Sequence, residues 1–473
     1  MSSTLTTSHH MTIDGARVMS GSTFDVVNPA TGEAFAEAPD CTRDQLDDAM
    51  HSAAATFASW RRDESSRRQL LLTCAEALIR HAEELAELLT REQGKPLPKA
   101  AGEIIGAAKW FTYTAGLEIP IDVALDNDRV RVEVRRRPHG VVAAITPWNY
   151  PVSLAVWKIA PALLAGNTVV LKPSPYTPLT TLRMGAILRD VLPTGVLNVI
   201  SGGDELGVWM TTHPKVRKIS FTGSVATGKL VAAAAAPDLK RVTLELGGND
   251  PAILLPDVDV SRVAKRLFWG AFENCGQVCS AIKRVYVPHS LYGQLLSELG
   301  EVARGVRVGD GFVADTQLGP LNNRPQFERV QELVEDAKQT GAKVVAGGHR
   351  LTDDGYFYAP TIVGDVSDGV RVVDEEQFGP VLPVVSYVDL EDAIARANAT
   401  HFGLSGSVWS SDTTRAKEVA TQLECGTAWV NQHLNVVPHA PFGGAKWSGL
   451  GVENGPWGLL GFTEFQTINV AKG

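Results

Sequence analysis

Four short apolar runs constrain this chain more than any other feature: GVVAAITP (140–147), NTVVLKP (167–173), VLNVIS (196–201) and KISFTGS (218–224). Their apolar residues are consecutive rather than alternating, as suits strands buried on both faces of a parallel sheet. Helix-patterned segments, SLAVWKIAPALLAG, TPLTTLRMGAILRDV and ATGKLVAAAAA, lie between or after them. Parallel strands need such crossovers, so the β-α-β order predicts a doubly wound α/β domain. Sheets of this kind bind ligands beyond the carboxyl ends of their strands. Here those ends carry Thr146-Pro-Trp148-Asn149, Lys172-Pro-Ser174 and Gly223-Ser224.

A second alternation begins after Gly247 with PAILL, the helix-patterned SRVAKRLFWGAFENCGQ and KRVYVP, and continues to GTAWVNQ. The expected fold class is therefore α/β, with two doubly wound α/β domains; 473 residues exceed what one core usually supports. From Thr42 to about Leu117, apolar residues three and four apart predict helices, the middle one stopped at Gly94-Lys-Pro. The run Arg129 to Arg137 alternates like a strand whose charges line a solvated or intersubunit face. The C-terminal FTEFQTINVAKG reads as an edge strand with no partner nearby in sequence.

Several function classes are disfavoured. A net charge of -9 argues against nucleic acid as the main partner, because phosphate binding needs clustered Lys and Arg. The first residues, MSSTLTTSHHMTIDG, have neither a basic nor an apolar leader region. No later run is long enough to span a bilayer, so a cytoplasmic protein without membrane contact is expected. Five cysteines, at 41, 74, 275, 279 and 425, do not resemble a disulfide framework. Cys275 and Cys279 lack C-x-x-C spacing and His289 follows a strand-like run, so no metal site is expected.

The candidate chemistry lies in short motifs. Cys279, in G-Q-V-C-S, follows a predicted helix end where Gly276 lets the backbone turn; a thiolate there could attack a carbonyl, although a lone cysteine is more often a small buried residue. Glu245, in T-L-E-L-G-G, is a carboxylate in an apolar strand, either a general base or a strand-end residue bonded to neighbouring amides or an Arg. Asn149, held between Pro147 and Pro151, is an oxyanion donor or an ordinary turn residue. Lys172 ends a strand where it can reach phosphate or ribose oxygens, or stay solvated. The glycines of F-T-G-S-V-A-T-G suit a pyrophosphate at helix-terminal amides, but they are not the G-x-G-x-x-G fingerprint.

These motifs occur in order with E-E-x-F-G-P-V at Glu375 to Val381 and P-F-G-G-x-K-x-S-G at Pro441 to Gly449. Together they resemble the aldehyde dehydrogenase superfamily over essentially the full length. The resemblance implies oxidation of a small-molecule aldehyde to the acid. Cys279 would be the nucleophile, Asn149 with the Cys279 amide would hold the oxyanion, and Glu245 would activate water. It further implies NAD as cofactor, with Lys172 at the adenine ribose, Ser224 at the pyrophosphate, and Glu376 with Phe378 at the nicotinamide end. Trp148, Ser174 and Gly223 complete that set. Many NAD-preferring members carry Lys-Pro-Ser-Glu; here the glutamate's place is Pro175, so NADP is not excluded.

The implied architecture is a cofactor domain (1–118 and 139–246), a catalytic domain (247–438) and a small β oligomerisation element (119–138 and 455–473), forming a homodimer or homotetramer. By the same similarity, Tyr150, Leu154, Trp157, Val278 and the loop 433–437 would line a substrate tunnel. A wall without Lys or Arg would favour an apolar or aromatic aldehyde. Alternatives are a cysteine-dependent esterase, a dehydrogenase releasing its thioester to CoA, and a non-catalytic protein on the same fold.

Overall fold

The computed structural model describes residues 9–472. The four runs become strands Val141–Ile145, Thr168–Lys172, Leu197–Val199 and Val216–Thr222, and Arg241–Glu245 joins them as a fifth. These five are parallel, side by side in the order Leu197–Val199, Thr168–Lys172, Val141–Ile145, Val216–Thr222, Arg241–Glu245. The chain starts in the middle, winds to one side, then returns and winds to the other. The reversal falls between Val141–Ile145 and Val216–Thr222, where a doubly wound sheet opens a crevice. Antiparallel strands extend both edges: Met11–Ile13 and Ala16–Val18 on one, Gly449–Leu450 on the other. Two or three residues are too few for a periodic signal, so sequence patterning did not show them.

A second sheet of seven strands runs in the order Lys343–Ala346, Thr361–Gly364, Val381–Tyr387, Ile282–Pro288, Asp250–Leu254, Ser405–Trp409, Thr427–Val430. All its pairs are parallel except the first, as expected of a sheet covered on both faces. The C-terminal strand Thr463–Ala471 finds its partner in Val130–Pro138, which pairs in turn with Asp122–Asp126. Within this three-stranded sheet the arginine run is largely neutralised: Arg131 meets Asp126 and Glu133, Arg135 meets Glu133, and Arg137 meets Glu464.

The helical region 43–115 does more than cover the first sheet. Its second long helix is followed by Ala82–Gln93, ended by Gly94 at φ 96°, a left-handed conformation glycine adopts without a Cβ penalty. Two buried glutamates of this region then cap helices of the first sheet. Glu92 accepts from the Leu179 and Thr180 amides at 2.7 and 2.9 Å; Glu103 accepts from Val152 and Ser153 at 3.0 and 3.1 Å. A carboxylate at a helix N-terminus satisfies free N–H groups and favours the positive end of the helix dipole. Glu103 is also paired with buried Lys95, whose Nζ donates to the Asn149 carbonyl at 2.9 Å. This fixes the start of the Pro151–Leu164 helix.

Glu103→Ala is expected to destabilise the protein by about 3–5 kcal/mol, because it leaves Lys95 as an unpaired buried charge. Urea unfolding measures this, and Glu103→Gln, which keeps an amide oxygen for the two N–H groups, should lose less.

Candidate active site

Asn149 is reached directly from the carboxyl end of the central strand and is 3% exposed. Its carbonyl accepts from Lys95 Nζ and from Asn274 Nδ2, the latter at 3.0 Å, so the turn is clamped from two directions. Its own Nδ2 donates to the Gln277 carbonyl at 2.9 Å. An amide nitrogen carries two hydrogens, so one remains for another acceptor.

Cys279 owes its position to an irregular turn. After the helix Val260–Phe272, three consecutive residues, Asn274, Cys275 and Gly276, take positive φ of 51°, 59° and 73°. A Cβ at position 276 would collide with the Gly379 carbonyl, so glycine is required there. This contact sets the cysteine turn against the loop that carries Glu376 and Phe378. Lys283, 2% exposed, reinforces it: its Nζ donates to the carbonyls of Val278 at 2.9 Å and Cys279 at 2.7 Å and lies 3.4 Å from Glu376 Oε1. Among the described residues the Cys279 main-chain N–H has no acceptor.

Glu245 is 1% exposed at the end of its strand. Neither oxygen makes a hydrogen bond of good geometry, but the Cys279 thiol is close enough for each group to affect the other's proton. Burial pushes the Glu245 carboxyl up to about 8; Glu453 adds to the rise, while Lys158 and the thiol oppose it. Burial likewise raises Cys279 well above its usual range, Glu245 adding to this and Lys283 opposing it. Lys158, completely buried, is bound to Glu453 and to Thr222 Oγ1 at 2.6 Å. Sequence reasoning missed Lys158, Glu453 and Lys283. The available signal was a lysine inside an otherwise apolar helix or at the start of an apolar strand.

At the carboxyl end of its strand in the first sheet, Lys172 is 4% exposed and its Nζ has one hydrogen bond, to the Pro173 carbonyl at 3.3 Å; burial lowers it to about 8. Ser174 Oγ accepts from the Tyr176 amide at 3.3 Å. Ser224 caps the helix Val225–Ala235. A Cβ on Gly223 would come within 2.5 Å of the Phe221 ring, and one on Gly247 would strike Glu376. Glu376 accepts from the Gly248 amide at 3.1 Å, and Trp148 meets Phe378 edge to face at 5.3 Å. Glycines that bar side chains, a buried lysine with little local pairing and a helix N-terminus are the elements a dinucleotide requires, so the residues fit NAD.

Cys279 opens onto a cavity of about 740 Å³. Tyr150, Leu154, Trp157 and Val278 line it, with His433, Leu434 and Val436 from the expected loop, and Trp110, Trp269 and Phe442 besides. Trp157 stacks on Trp110 at 5.5 Å and meets Phe442 at 5.8 Å. The expectation of a wall without Lys or Arg is corrected: Lys265 and Arg266, exposed residues of the Val260–Phe272 helix, also line it. Arg266 is committed to the Asn431 carbonyl and lies 5.4 Å from the centre of the Trp409 ring. Sequence alone could not bring this helix face to the cavity. Among the described residues no group of side chains has the makings of a metal site, and no helix is long and apolar enough to cross a membrane.

The profile of the aldehyde dehydrogenase family matches residues 17–468. Retinaldehyde dehydrogenase 3 of Rattus norvegicus is 41% identical over 95% of this chain and 90% of its own length. Phenylacetaldehyde dehydrogenase of Pseudomonas fluorescens is 39% identical over 98% and 96%. Among solved structures, the NAD+ complex of aldehyde dehydrogenase from Bacillus cereus superposes with a TM-score of 0.96 at 36% identity, covering 99% of this chain and 97% of that one. The chain belongs to the aldehyde dehydrogenase family and is an NAD(P)-dependent oxidoreductase acting on aldehydes.

Proposed function

We propose that the protein oxidises an apolar or aromatic aldehyde to the carboxylic acid through a thioester on Cys279, with NAD as cofactor. The observation that carries this reading is the position of Cys279. It opens onto an aromatic-walled cavity on one side and shares its electrostatics with an unpaired buried carboxylate, Glu245, on the other. The Cys279 sulfur adds to the carbonyl carbon, and its proton leaves for the carboxylate. The carbonyl oxygen gains charge between the free N–H of Asn149 Nδ2 and the Cys279 amide, donors already fixed before the reaction begins. When bound there, NAD would supply the acceptor for the hydride on the tetrahedral carbon. Glu245 then releases that proton to solvent and, once ionised, takes another from water as the water oxygen attacks the thioester carbon; the C–S bond breaks, the acid departs and the sulfur takes the proton back from Glu245, restoring the thiol.

Lys172 and Ser174 would hold the adenosine ribose, Gly223 and Ser224 the pyrophosphate, and Glu376 with Trp148 and Phe378 the nicotinamide ribose and ring. Domain roles follow the sheets: 139–246 with the N-terminal region for the cofactor, 247–438 for catalysis, and the three-stranded sheet for association of subunits. Support for the last is its exposed apolar side chains, Val123 and Leu125 on one outer strand and Phe465 on the other. The names of the two relatives, retinaldehyde and phenylacetaldehyde dehydrogenase, support an apolar aldehyde, as do the tryptophans of the cavity.

Glu245→Gln is expected to give, more slowly than the unaltered enzyme, one equivalent of reduced cofactor per Cys279 and then stall, with the acyl group visible as added protein mass. In the unaltered enzyme, hydrolysis needs Glu245 ionised. Its elevated proton affinity therefore makes the deacylation rate rise with pH through about 8, and the Gln variant should lose this limb. Single-turnover kinetics across pH 6–9 measure both effects.

A straight aromatic aldehyde should exceed its carboxylate-bearing analogue in kcat/KM by about tenfold or more, since aromatic and aliphatic side chains surround Cys279 while the cavity's cations, Lys265 and Arg266, stay exposed to water. Equal kcat/KM for the two would refute the apolar assignment. Cys279→Ala should abolish cofactor reduction with both.

A further inference from the structure

Pro175 removes the carboxylate that would repel a 2'-phosphate on the adenosine ribose, yet two other carboxylates stand around the same lysine. Lys172 ends its strand beside Leu197–Val199, in the register Leu171 to Val199, and the Ile200 amide returns to the Leu171 carbonyl at 2.9 Å. The chain then turns through Ser201, Gly202 and Gly203 into the helix Asp204–Thr212. Asp204 is its first residue and is exposed. Asp40 arrives from the N-terminal hairpin, held by the Cys41 amide on the Ser201 carbonyl at 2.9 Å and by Ser201 Oγ on the Pro39 carbonyl at 2.6 Å. A Cβ on Gly202 would be 3.0 Å from Asp40 Oδ1, so the Asp40 carboxylate lies directly over this turn. Both carboxylates act on the charge of Lys172, and Asp204 also acts on Tyr176, next to Pro175.

We propose that Asp204, assisted by Asp40, determines the preference of this enzyme for NAD over NADP by placing negative charge where a 2'-phosphate would sit. The inference rests on the placement of the adenosine ribose at Lys172 given above. The N-terminus of the helix Asp204–Thr212 makes the point sharper: Gly203 offers no side-chain cap, so the first amides would attract an anion. Asp204 and Glu205 fill that first turn with negative charge instead. A ribose hydroxyl tolerates a neighbouring carboxylate, to which it can donate; a phosphate dianion does not. Lys172, with a single weak hydrogen bond, remains free to donate to the ribose oxygens.

The test is binding without aldehyde, measured by calorimetry with NADH and NADPH, so that it does not depend on turnover. The unaltered enzyme should prefer NADH. Asp204→Asn should raise the ratio of NADPH to NADH affinity by about tenfold, and the double variant with Asp40→Asn further, as expected for removing unit charges from a partly solvated site. A ratio unchanged within twofold in both variants, with thermal unfolding showing intact folds, would overturn the proposal. So would an unaltered enzyme that binds both nucleotides equally. Lys172→Ala separates the two levels: it should weaken both nucleotides alike. If it weakens neither, the ribose is not at Lys172 and the cofactor placement itself fails.

Discussion

The ammonium group of Lys283 holds the active site together. It is almost wholly buried, a state that costs several kcal/mol unless its three hydrogens find acceptors. It finds them in the carbonyls of Val278 and Cys279 and in Glu376. The first two fix the loop after three left-handed residues, a conformation that would relax without such anchoring; the third fixes the carboxylate proposed for the cofactor. Lys283 sits in the strand Ile282–Pro288, which pairs with Val381–Tyr387, the strand that follows the Glu376 loop. Sheet pairing thus delivers both loops to one side, and one cation locks them there.

The same logic recurs between the two sheets and the C-terminal segment. Lys158 comes from the helix after Asn149 and Glu453 from the last sixth of the chain, and both are buried. Removing either would strand the other as a bare charge in the core, so the pair ties the C-terminal segment to the first sheet more strictly than apolar contact would. It also leaves Glu245 without a cation of its own, because Lys158 is committed to Glu453 and Thr222. The basicity of Glu245 comes from what the surroundings withhold.

The parallel strands were legible in the sequence because burial on both faces leaves uninterrupted apolar runs, and the ends of those runs named Asn149, Lys172 and Ser224 directly. The short edge strands at Met11–Ile13 and Gly449–Leu450 were not, since pairing with distant chain rather than local pattern creates them. Cys279, Glu245 and the Glu376 loop were visible as ordered motifs, whereas Lys283, Lys158 and Glu453 were not. A buried ion pair is defined by its partner, and the partners here lie up to 295 residues apart. The cations at the cavity rim were missed for a related reason: helix periodicity says that one face is exposed but not what that face overlooks.

Burial of Glu245 and Cys279 together has a mechanistic consequence. Glu245 raises the proton affinity of Cys279, while the thiol lowers that of Glu245, so the pair favours a single negative charge over two. Thiolate attack is therefore easiest when the Cys279 proton moves to the carboxylate, leaving one charge in the site rather than two. Under the proposed mechanism, formation of the thioester removes the sulfur's charge altogether, so an ionised Glu245 has no second anion at the sulfur to face. Glu245 can then ionise and serve as base for water. The two roles are kept apart in time by the covalent state of the sulfur, which lets one unpaired carboxylate support attack first and hydrolysis afterwards.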